Sequence, residues 1–239
     1  MKLSIVIPAY NEENRITPTI DSVVAYAENK FPHQYEILIV LDGSIDNTPD
    51  IVEQLSQTYS AIKIFTNDTN QGKGAAVRQG ILASTGEYVL FMDADNSTHI
   101  NELDAMLPVC QNGVDVVIGS RDMKESRVEI HQPKYKELLG DLGNWWIQIV
   151  LVGGLNDTQC GFKVFSGDIA RKLFQKVSMK GWSFDIEVLA LARYLGYTIK
   201  EMPVIWYNDS ESHVTLFDYL AVLRDTFIIK YRLLSNYYQ

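Results

Sequence analysis

Short apolar runs, rich in β-branched residues, recur along the first half of the chain. The runs are nearly continuous rather than alternating, which is typical of strands that are buried on both faces of a sheet. They span residues 3–7, 35–41, 61–65, 88–92 and 114–118. Segments of helical length separate these runs, and this alternation predicts right-handed β–α–β units and a mostly parallel sheet.

Helix signals complete the α/β pattern. Thr17-Pro18 and Thr48-Pro49 each place an N-cap residue before a proline, which predicts a helix start at both positions. After about Gly119 the regular alternation stops. There the pattern predicts helices near 137–151, 168–176 and 183–195, a strand near 198–206 and a helix from about 215 to 235. Since no repeat or linker interrupts the chain, we expect one domain over residues 1–239.

The composition limits the classes of function. Of the 239 residues, 46% are hydrophobic and 21% are charged, which excludes disordered and fibrous chains. The 21 Lys and Arg residues face 30 Asp and Glu residues, and the formal charge of -9 argues against nucleic acid held on a general basic surface. An anionic ligand would therefore need a local basic site or a metal ion.

The cysteines and the apolar segments indicate the redox environment of the chain and its relation to membranes. Cys110 and Cys160 form neither a disulfide framework nor a zinc pattern, so we expect reduced thiols. The N-terminal apolar run is too short for the core of a signal peptide. No other run reaches the roughly 20 apolar residues of a spanning helix. We therefore expect a chain with no signal peptide and no transmembrane segment.

Polar segments follow the predicted strands, at the edge where α/β proteins bind ligands. The sharpest signal is Asp93-Ala94-Asp95, directly after the strand YVLFM. Alternate residues at a strand end can direct two hard carboxylates at one divalent cation, and Mg²⁺ or Mn²⁺ suits this ligand set. The same three residues also occur in ordinary solvated turns. Asp42, in an Asp-Gly pair, is by itself ordinary turn chemistry.

Gly72 and Gly74 would let backbone approach a ligand or pack a helix closely on the sheet. The segment QGKGAAV lacks the complete GxGxxG and GxxxxGK[ST] patterns. A dehydrogenase or a P-loop NTPase is therefore disfavoured.

Eight segments together carry a family resemblance. In order they are PAYNEE, DGSIDNT, GKGAAVRQG, DAD, GSR, DTQCGFKVF, GWSFDIEVL and PVIW, between about residues 3 and 206. They resemble the family-2 glycosyltransferases that load polyprenyl phosphates, most of all the dolichyl-phosphate β-glucosyltransferases and next the dolichyl-phosphate mannosyltransferases.

The resemblance implies a GT-A fold, a Rossmann-like and mostly parallel sheet flanked by helices. Residues 1–119 would form the nucleotide-sugar half, and residues 120–239 the acceptor half with a C-terminal helix. It also implies a metal-dependent, inverting transfer of a hexose, with glucose favoured. The donor would be a UDP-sugar rather than a GDP-sugar, and the acceptor a polyprenyl or dolichyl phosphate.

The resemblance also implies roles for individual residues. The nucleoside would be held by Pro8, Tyr10, Glu12 and Asp42. Asp93 and Asp95 would hold the Mg²⁺ or Mn²⁺ and the diphosphate, and Lys73 joins the substrate-binding residues. On the sugar and acceptor side it places Arg121, Asp157, Gln159 and Trp182, with Asp157 counted as catalytic beside the two metal ligands.

Three positions depart from the family pattern. Leu41-Asp42 stands where two acids are usual, which leaves the base of the nucleotide open between UDP and GDP. Ser97 stands where mannosyltransferase-like relatives carry a metal-binding glutamine. His213, in Glu211-Ser212-His213, replaces a lysine, so that a fixed cation becomes one whose charge depends on pH.

The acceptor prediction starts from the lack of a histidine clearly placed as a base near Asp93. A sugar hydroxyl must lose a proton as it attacks, whereas a phosphate monoester, with a second pKa of ~6, is already anionic. We expect Arg121, Arg127 and His213 around this phosphate, with Lys163 as a weaker candidate that is otherwise solvated. His99 is the rival base, although we expect it to cap the helix that follows.

Three alternatives remain open. A family-2 transferase with a sugar or protein acceptor is the runner-up, and a non-catalytic nucleotide-sugar-binding protein of the same fold is a second alternative. The third, a sugar-phosphate nucleotidyltransferase, is disfavoured because PAYNEE is acidic where a basic, glycine-rich loop is usual.

Apolar residues of the second half predict peripheral attachment to the cytoplasmic side of a membrane. The first segment carries Trp145, Trp146, Ile147, Ile149 and Val150. The second is the C-terminal helix with Leu216, Leu220, Leu223, Phe227, Tyr231 and Leu234, where Arg224, Lys230 and Arg232 could meet anionic lipid. The competing interpretation is that these side chains face the core.

Overall fold

The computed structural model describes residues 2–129, 134–207 and 216–238. The strands are β1 (Leu3–Ala9), β2 (Tyr35–Asp42), β3 (Ile62–Asn67), β4 (Tyr88–Met92), β5 (Val116–Ser120), β6 (Arg127–Val128), β7 (Phe162–Ser166), β8 (Ile199–Pro203) and β9 (Ile205–Trp206). The helices are α1 (Ile16–Lys30), α2 (Thr48–Thr58), α3 (Lys73–Ala83), α4 (Leu103–Gln111), α5 (Lys134–Val150), α6 (Gly167–Lys176), α7 (Phe184–Tyr194) and α8 (Leu216–Leu234).

A seven-stranded sheet in the order β3-β2-β1-β4-β7-β5-β8 forms the centre of the molecule. Strands β3, β2, β1 and β4 are parallel, and so are β5 and β8. Strand β7 is inserted between β4 and β5 and runs antiparallel to both. The small second sheet pairs β6 with β9. The predicted single-domain α/β fold with a mostly parallel sheet is confirmed.

Helices cover both faces of the sheet and make a three-layer core. One face packs against α1, α2 and α4, through residues such as Val23, Val52 and Leu103. The other packs against α3, α6 and α7, with contributions from α5 and α8, through residues such as Val77 and Leu189. Because both faces are covered, the inner strands β1, β2, β4 and β5 are apolar at most positions, which is the pattern from which they were predicted.

Two local predictions were wrong. Helix α1 begins at Ile16, so Thr17 is inside its first turn, and α2 begins at Thr48 with Asn47 before it. The Thr48 hydroxyl does not cap its own helix because it accepts the backbone N–H of Glu12 at 2.7 Å. Strand β7 was not predicted, since its second residue, Lys163, interrupts the apolar run and its pairing partners come from distant parts of the chain.

Helices α5 and α8 pack against each other on one side of the domain. Trp146 donates a hydrogen bond from its indole to Thr226 Oγ1 (3.0 Å), and its ring lies 5.4 Å from that of Phe227. Ile147, predicted to lie on a membrane-facing surface, is buried beneath this contact. None of the helices in the described ranges has the length and hydropathy to cross a membrane.

Candidate active site

The carboxyl ends of β1, β2, β4 and β5 lie at one edge of the sheet, as the parallel arrangement requires. Because β7 is antiparallel, its amino end lies at the same edge, where Met92 of β4 pairs with Phe162. The segment before β7 therefore meets the segment after β4. This brings DTQCG beside DAD, although the two are more than 60 residues apart in sequence.

The loops after β1 and β2 are joined by hydrogen bonds. Asn11 donates from its backbone to Ser44 Oγ and accepts the Ile45 N–H at its side chain. Glu13 donates from its backbone to Asp46 Oδ2 and accepts from Asn47. The acidic loop PAYNEEN and the loop DGSIDN therefore form one connected wall at the strand ends.

Asp42 does more than form a turn. Its buried carboxylate accepts hydrogen bonds from Asn67 Nδ2 (2.9 Å), from the backbone of Gln71 (2.9 Å) and from the backbone of Gly72 (2.8 Å). Gly43, with a φ of 72°, allows the chain to reverse directly against the 69–70 backbone. Asp42 thus fixes the loop that leads into α3.

Pro8, Tyr10 and Glu12 lie half-buried along the same wall. Burial raises the pKa of Glu12 to about 7; Arg15, whose Nε lies 2.7 Å from Glu12 Oε2, opposes this shift, and the charges of Asp95 and Asp93 add to it. Both aspartates of DAD are therefore close enough to raise the pKa of Glu12. A concentration of like charge of this kind favours a bound cation.

Asp93 and Asp95 follow β4 directly. Asp93 Oδ1 lies 2.6 Å from Lys73 Nζ, and the Asp93 backbone N–H donates to the carbonyl of Gly161 at 3.0 Å. Asp95 Oδ1 accepts the Ser97 backbone N–H at 2.9 Å, which leaves its other oxygen available. Burial, followed by repulsion from Asp93, raises the pKa of Asp95.

These donors fit a Mg²⁺ or Mn²⁺ ion. Two hard carboxylates lie at a strand end, the charge of one raises the pKa of the other, and a divalent cation relieves both burial and repulsion. Within the described ranges no three Asp, Glu, His or Cys side chains converge as a closed cluster. With two protein carboxylates as ligands, a diphosphate and water would complete the coordination of such an ion.

Lys73 and Trp182 form the next part of the wall. The ammonium of Lys73, at the start of α3, lies 4.9 Å from the centre of the Trp182 ring and 5.6 Å from that of Phe91. Burial alone would lower the pKa of Lys73, but the charges of Asp93 and Asp185 outweigh it and raise the pKa. Lys73 is therefore a fixed cation beside the carboxylates.

Arg121 and Asp157 form a bidentate ion pair on the other side of the aspartates. Arg121 Nε and Nη2 donate to Asp157 at 2.7 and 2.9 Å, and the Arg121 backbone N–H donates to the same carboxylate at 3.0 Å. Asp157 also accepts the Gln159 N–H. Burial alone would raise the pKa of Asp157, but Arg121 outweighs it and lowers the pKa. An ionised, fully occupied carboxylate orients its partners and is unsuited to accept a proton.

The remaining predicted site residues differ in their exposure and in their contacts. Gln159 is exposed on the loop before β7, and Arg127 is exposed on β6. Trp206, on the partner strand of β6, lies 5.4 Å from the Arg121 guanidinium. His213 lies outside the described residues. His99 is the N-cap residue of the 3-10 turn Ile100–Glu102, as predicted, but its imidazole makes no capping hydrogen bond, and its ring packs 4.8 Å from that of Tyr207.

Several residues behind the site had no predicted role. Lys163, expected to be solvated, is completely buried and donates to Asp185 (2.5 Å) and to the carbonyl of Cys160 (2.6 Å). Gly161 lies so close to the Asp93 carboxylate that any Cβ would overlap it. The signal for these residues was their place inside the segments DTQCGFKVF and GWSFDIEVL.

Both cysteines are free and buried. Burial, followed by the charge of Asp157, raises the pKa of the Cys160 thiol to about 12, so that it is an inert packing residue.

The sheet order, the two aspartates after β4 and the loops that surround them are those of a glycosyltransferase of the GT-A type. The chain belongs to glycosyl transferase family 2, whose family model matches residues 4–173. The fold and the likeness that the sequence motifs predicted are both confirmed.

The chain is similar to dolichyl-phosphate beta-glucosyltransferases, as the sequence motifs predicted. The chain is 33% identical to the dolichyl-phosphate beta-glucosyltransferase of Dictyostelium discoideum over 97% of its own length and 75% of that protein. It is 37% identical to a dolichyl-phosphate beta-glucosyltransferase of Trichomonas vaginalis over 88% of its length and 65% of that protein. The chain thus spans about two thirds to three quarters of these relatives.

A solved structure supports the fold alone. The glucosyl-3-phosphoglycerate synthase of Mycobacterium tuberculosis, crystallised with uridine diphosphate, superposes with a TM-score of 0.65. The sequence identity is 18%, and the match covers 97% of this chain and 79% of that one.

Proposed function

We propose that this protein transfers a glucosyl group from UDP-glucose to the phosphate of dolichol or a related polyprenol, with inversion at the anomeric carbon. The bond between C1 and the UDP oxygen breaks, and an oxygen of the lipid phosphate forms the new bond to C1. The observation that carries the proposal is the position of Asp93. It lies on Gly161, with the Lys73–Trp182 pair on one side and the loop that holds the Arg121–Asp157 pair on the other.

The donor would bind across the first half, residues 1–119. Asp93 and Asp95 would hold a Mg²⁺ or Mn²⁺ ion, which when bound neutralises the charge that develops on the leaving diphosphate. Lys73, already 2.6 Å from Asp93 Oδ1, is the nearest protein cation for the same diphosphate. Pro8, Tyr10, Glu12 and Asp42 would contact the nucleoside. Both relatives are named as glucosyltransferases, which supports glucose as the sugar, and the resemblance of the motifs to the dolichyl-phosphate β-glucosyltransferases favours UDP.

The acceptor would bind on the side of residues 120–239. Arg121 is held by Asp157 in one orientation and would direct its remaining N–H groups at the lipid phosphate. Arg127 and His213 remain the candidate further contacts to this phosphate, and Gln159 and Trp182 the candidate contacts to the sugar. A phosphate that is already anionic needs positioning and charge screening rather than a base. The engaged state of Asp157 therefore favours a phosphate over a hydroxyl acceptor.

An exposed apolar face explains how a lipid would reach this side. It consists of Leu142, Trp145 and Ile149 on α5 and Leu220, Leu223, Phe227, Tyr231 and Leu234 on α8, which are between 37% and 74% exposed. A soluble surface rarely carries so many large apolar side chains together. We assign this apolar face to the surface of a membrane, on its cytoplasmic side, where both cysteines would remain reduced.

The apolar face and the phosphate cations are linked through α5. Asn144, next to Trp145, donates from its side chain to Asp122 and to the carbonyl of Asn156. These two residues are the direct neighbours of Arg121 and Asp157. A polyprenyl chain that lies along α5 would therefore bring its phosphate to the Arg121–Asp157 pair.

The test is a matrix of donors and acceptors. UDP- and GDP-sugars would be combined with dolichyl phosphate, free glucose and an oligosaccharide, each with Mn²⁺, Mg²⁺ or EDTA, and the products identified by mass spectrometry. We expect glucosyl phosphodolichol from UDP-glucose in the presence of metal. Robust transfer to a hydroxyl acceptor, with none to the lipid phosphate, would make the runner-up correct instead.

A further inference from the structure

A second concave site lies between α8 and the loop that carries Trp182. It is an open cleft of ≈ 320 Å³, and its walls are the 178–183 loop on one side and the side of α8 that carries Ala221, Arg224 and Arg232 on the other. The cleft shares Trp182 with the donor site, since the Trp182 ring lies 4.9 Å from Lys73 Nζ, whereas its other lining residues are not among those assigned to the proposed transfer.

The cleft is locally basic in an acidic protein. Lys180, Arg224 and Arg232 line it, and each arginine is paired with one carboxylate. Arg224 Nε and Nη2 both donate to Asp225 Oδ1 (3.0 and 2.7 Å), Ser183 Oγ donates to Oδ2 (2.8 Å), and Arg232 Nη1 lies 3.4 Å from the buried Glu187 Oε1. Three cations against two carboxylates leave an excess of positive charge, which attracts an anion to one place in a chain with a net charge of -9.

Arg224 and Arg232 are held differently at the cleft. Arg232 Nη1 donates to Ser178 Oγ at 2.6 Å, which fixes its guanidinium at the wall. Arg224 is 70% exposed at its side chain, and a guanidinium has five N–H donors, of which the bonds to Asp225 engage only those on Nε and Nη2. Arg224 therefore keeps donors that can bind an anion without breaking the Asp225 pair.

The cleft also borders the apolar face on α8. At 100° per residue, Arg224 lies at the edge of the stripe of Leu220, Phe227 and Tyr231, and Arg232 lies further round, towards the cleft. When the apolar face rests on a membrane, the cleft opens at the depth of the lipid headgroups. Neither a nucleotide nor a soluble anion would explain this juxtaposition of cations and apolar side chains.

We propose that this cleft binds the phosphate headgroup of an anionic membrane phospholipid and so fixes α8 on the bilayer. The proposal rests on the membrane contact in the proposed function, but not on its reaction. The bound headgroup would contact the loop of Trp182, whose ring lies 4.9 Å from Lys73 Nζ, so that the same loop links the membrane surface to the donor site.

Binding of soluble, short-chain lipids tests the cleft without a bilayer. The full chain would be titrated with dihexanoyl phosphatidic acid, with dihexanoyl phosphatidylcholine and with inorganic phosphate, with Kd measured by calorimetry. We expect phosphatidic acid to bind, and the other two to bind at least about tenfold more weakly, because only this probe has both the anionic headgroup and the apolar chains.

Three variants make the test specific. Arg224→Gln should weaken phosphatidic acid binding about tenfold, and Ala221→Phe should weaken it by filling the cleft without a change of charge. Lys230→Gln is the matched control, because it removes the same charge from the same helix but does not line the cleft. An equal loss in Arg224→Gln and Lys230→Gln would show diffuse attraction and overturn the proposal, as would unchanged binding in Ala221→Phe.

Lipid binding in the cleft and the transferase reaction can be tested independently of each other. If phosphatidic acid binds but no glucose is transferred to dolichyl phosphate, the proposed function is wrong and the assignment of the cleft stands. If transfer occurs but inorganic phosphate binds as tightly as phosphatidic acid, the proposed function stands and the cleft is not a lipid site.

Discussion

The carboxylate of Asp93 rests directly on the α-carbon of Gly161, and the Asp93 backbone N–H donates to the Gly161 carbonyl at 3.0 Å. Two chain segments that are far apart in sequence thus share one position at the edge of the sheet. The antiparallel β7 is the cause, because it brings its amino end to the carboxyl end of β4. The placement of the first aspartate of DAD therefore depends on a residue without a side chain.

Gly161→Ala should lower the rate of transfer by about 100-fold, because the methyl group displaces the Asp93 carboxylate and misplacement by about 1 Å has an effect of this size. Mn²⁺ affinity, measured by calorimetry, should fall in parallel. Gly140→Ala, in α5 with open space around it, is the matched control and should leave both quantities unchanged. Full activity in Gly161→Ala would show that Asp93 is not held as described.

The Arg121–Asp157 pair should behave as one unit. Arg121→Ala and Asp157→Asn should each raise the KM for dolichyl phosphate roughly tenfold or more, and the double variant should be no worse than either, since both remove the same oriented guanidinium. Arg121→Lys should not restore the KM, because an ammonium cannot make the bidentate pair.

Circular dichroism melts would separate this effect from unfolding. A loss of kcat by several orders of magnitude in Asp157→Asn alone, with Arg121→Ala nearly active, would contradict the positioning role and indicate a base.

The buried pair of Lys163 and Asp185 should dominate local stability. Lys163→Met leaves a carboxylate buried without its partner and should reduce the free energy of unfolding by about 3–5 kcal/mol. The double variant Lys163→Met with Asp185→Leu should recover much of this loss. Breaking the Arg171–Asp168 pair with Asp168→Asn, whose side chain is 83% exposed, is the control, with an expected change of about 0–1 kcal/mol. Urea denaturation of the four proteins measures these differences, and equal losses for the two single variants would refute the prediction.

Acid should destabilise the protein through Glu36. Burial alone would raise the pKa of this carboxyl, but hydrogen bonds from Lys63, Ser4 and Thr85 outweigh it and lower the pKa from 4.5 to about 2. A folded-state pKa below the unfolded one stabilises the fold above pH 4.5, and this stabilisation is lost as the pH falls towards 2. The shift corresponds to up to about 3 kcal/mol.

Glu36→Gln should therefore be less stable than the wild type at pH 7, and the difference should shrink as the pH falls from 4.5 to 2. Thermal melts across this range measure it. A difference that does not depend on pH would contradict the assignment.

The sequence predicted best the strands that are buried on both faces, because such burial requires an uninterrupted run of apolar residues. Strands β1, β2, β4 and β5 were predicted because both faces of each are covered, and their ends located DAD, DGS and GSR at one edge. Strand β3, at the edge of the sheet, was predicted from the apolar run at residues 61–65. Strand β7 was missed because a single lysine interrupts FKVF, and only the partner Asp185, distant in sequence, makes that lysine a core residue. Ile147 was misplaced for the same reason, since the packing of α5 on its neighbours decides which face of a helix is buried.

The most direct test of the central claim is the transfer of labelled glucose from UDP-glucose to dolichyl phosphate by the wild type, Asp93→Asn and Asp95→Asn, each with Mn²⁺ and with EDTA. The account predicts lipid-linked glucose only for the wild type with metal, and a loss of several orders of magnitude for both variants while their melting temperatures stay near that of the wild type. Full transfer in EDTA, or by a folded Asp93→Asn or Asp95→Asn variant, would contradict it.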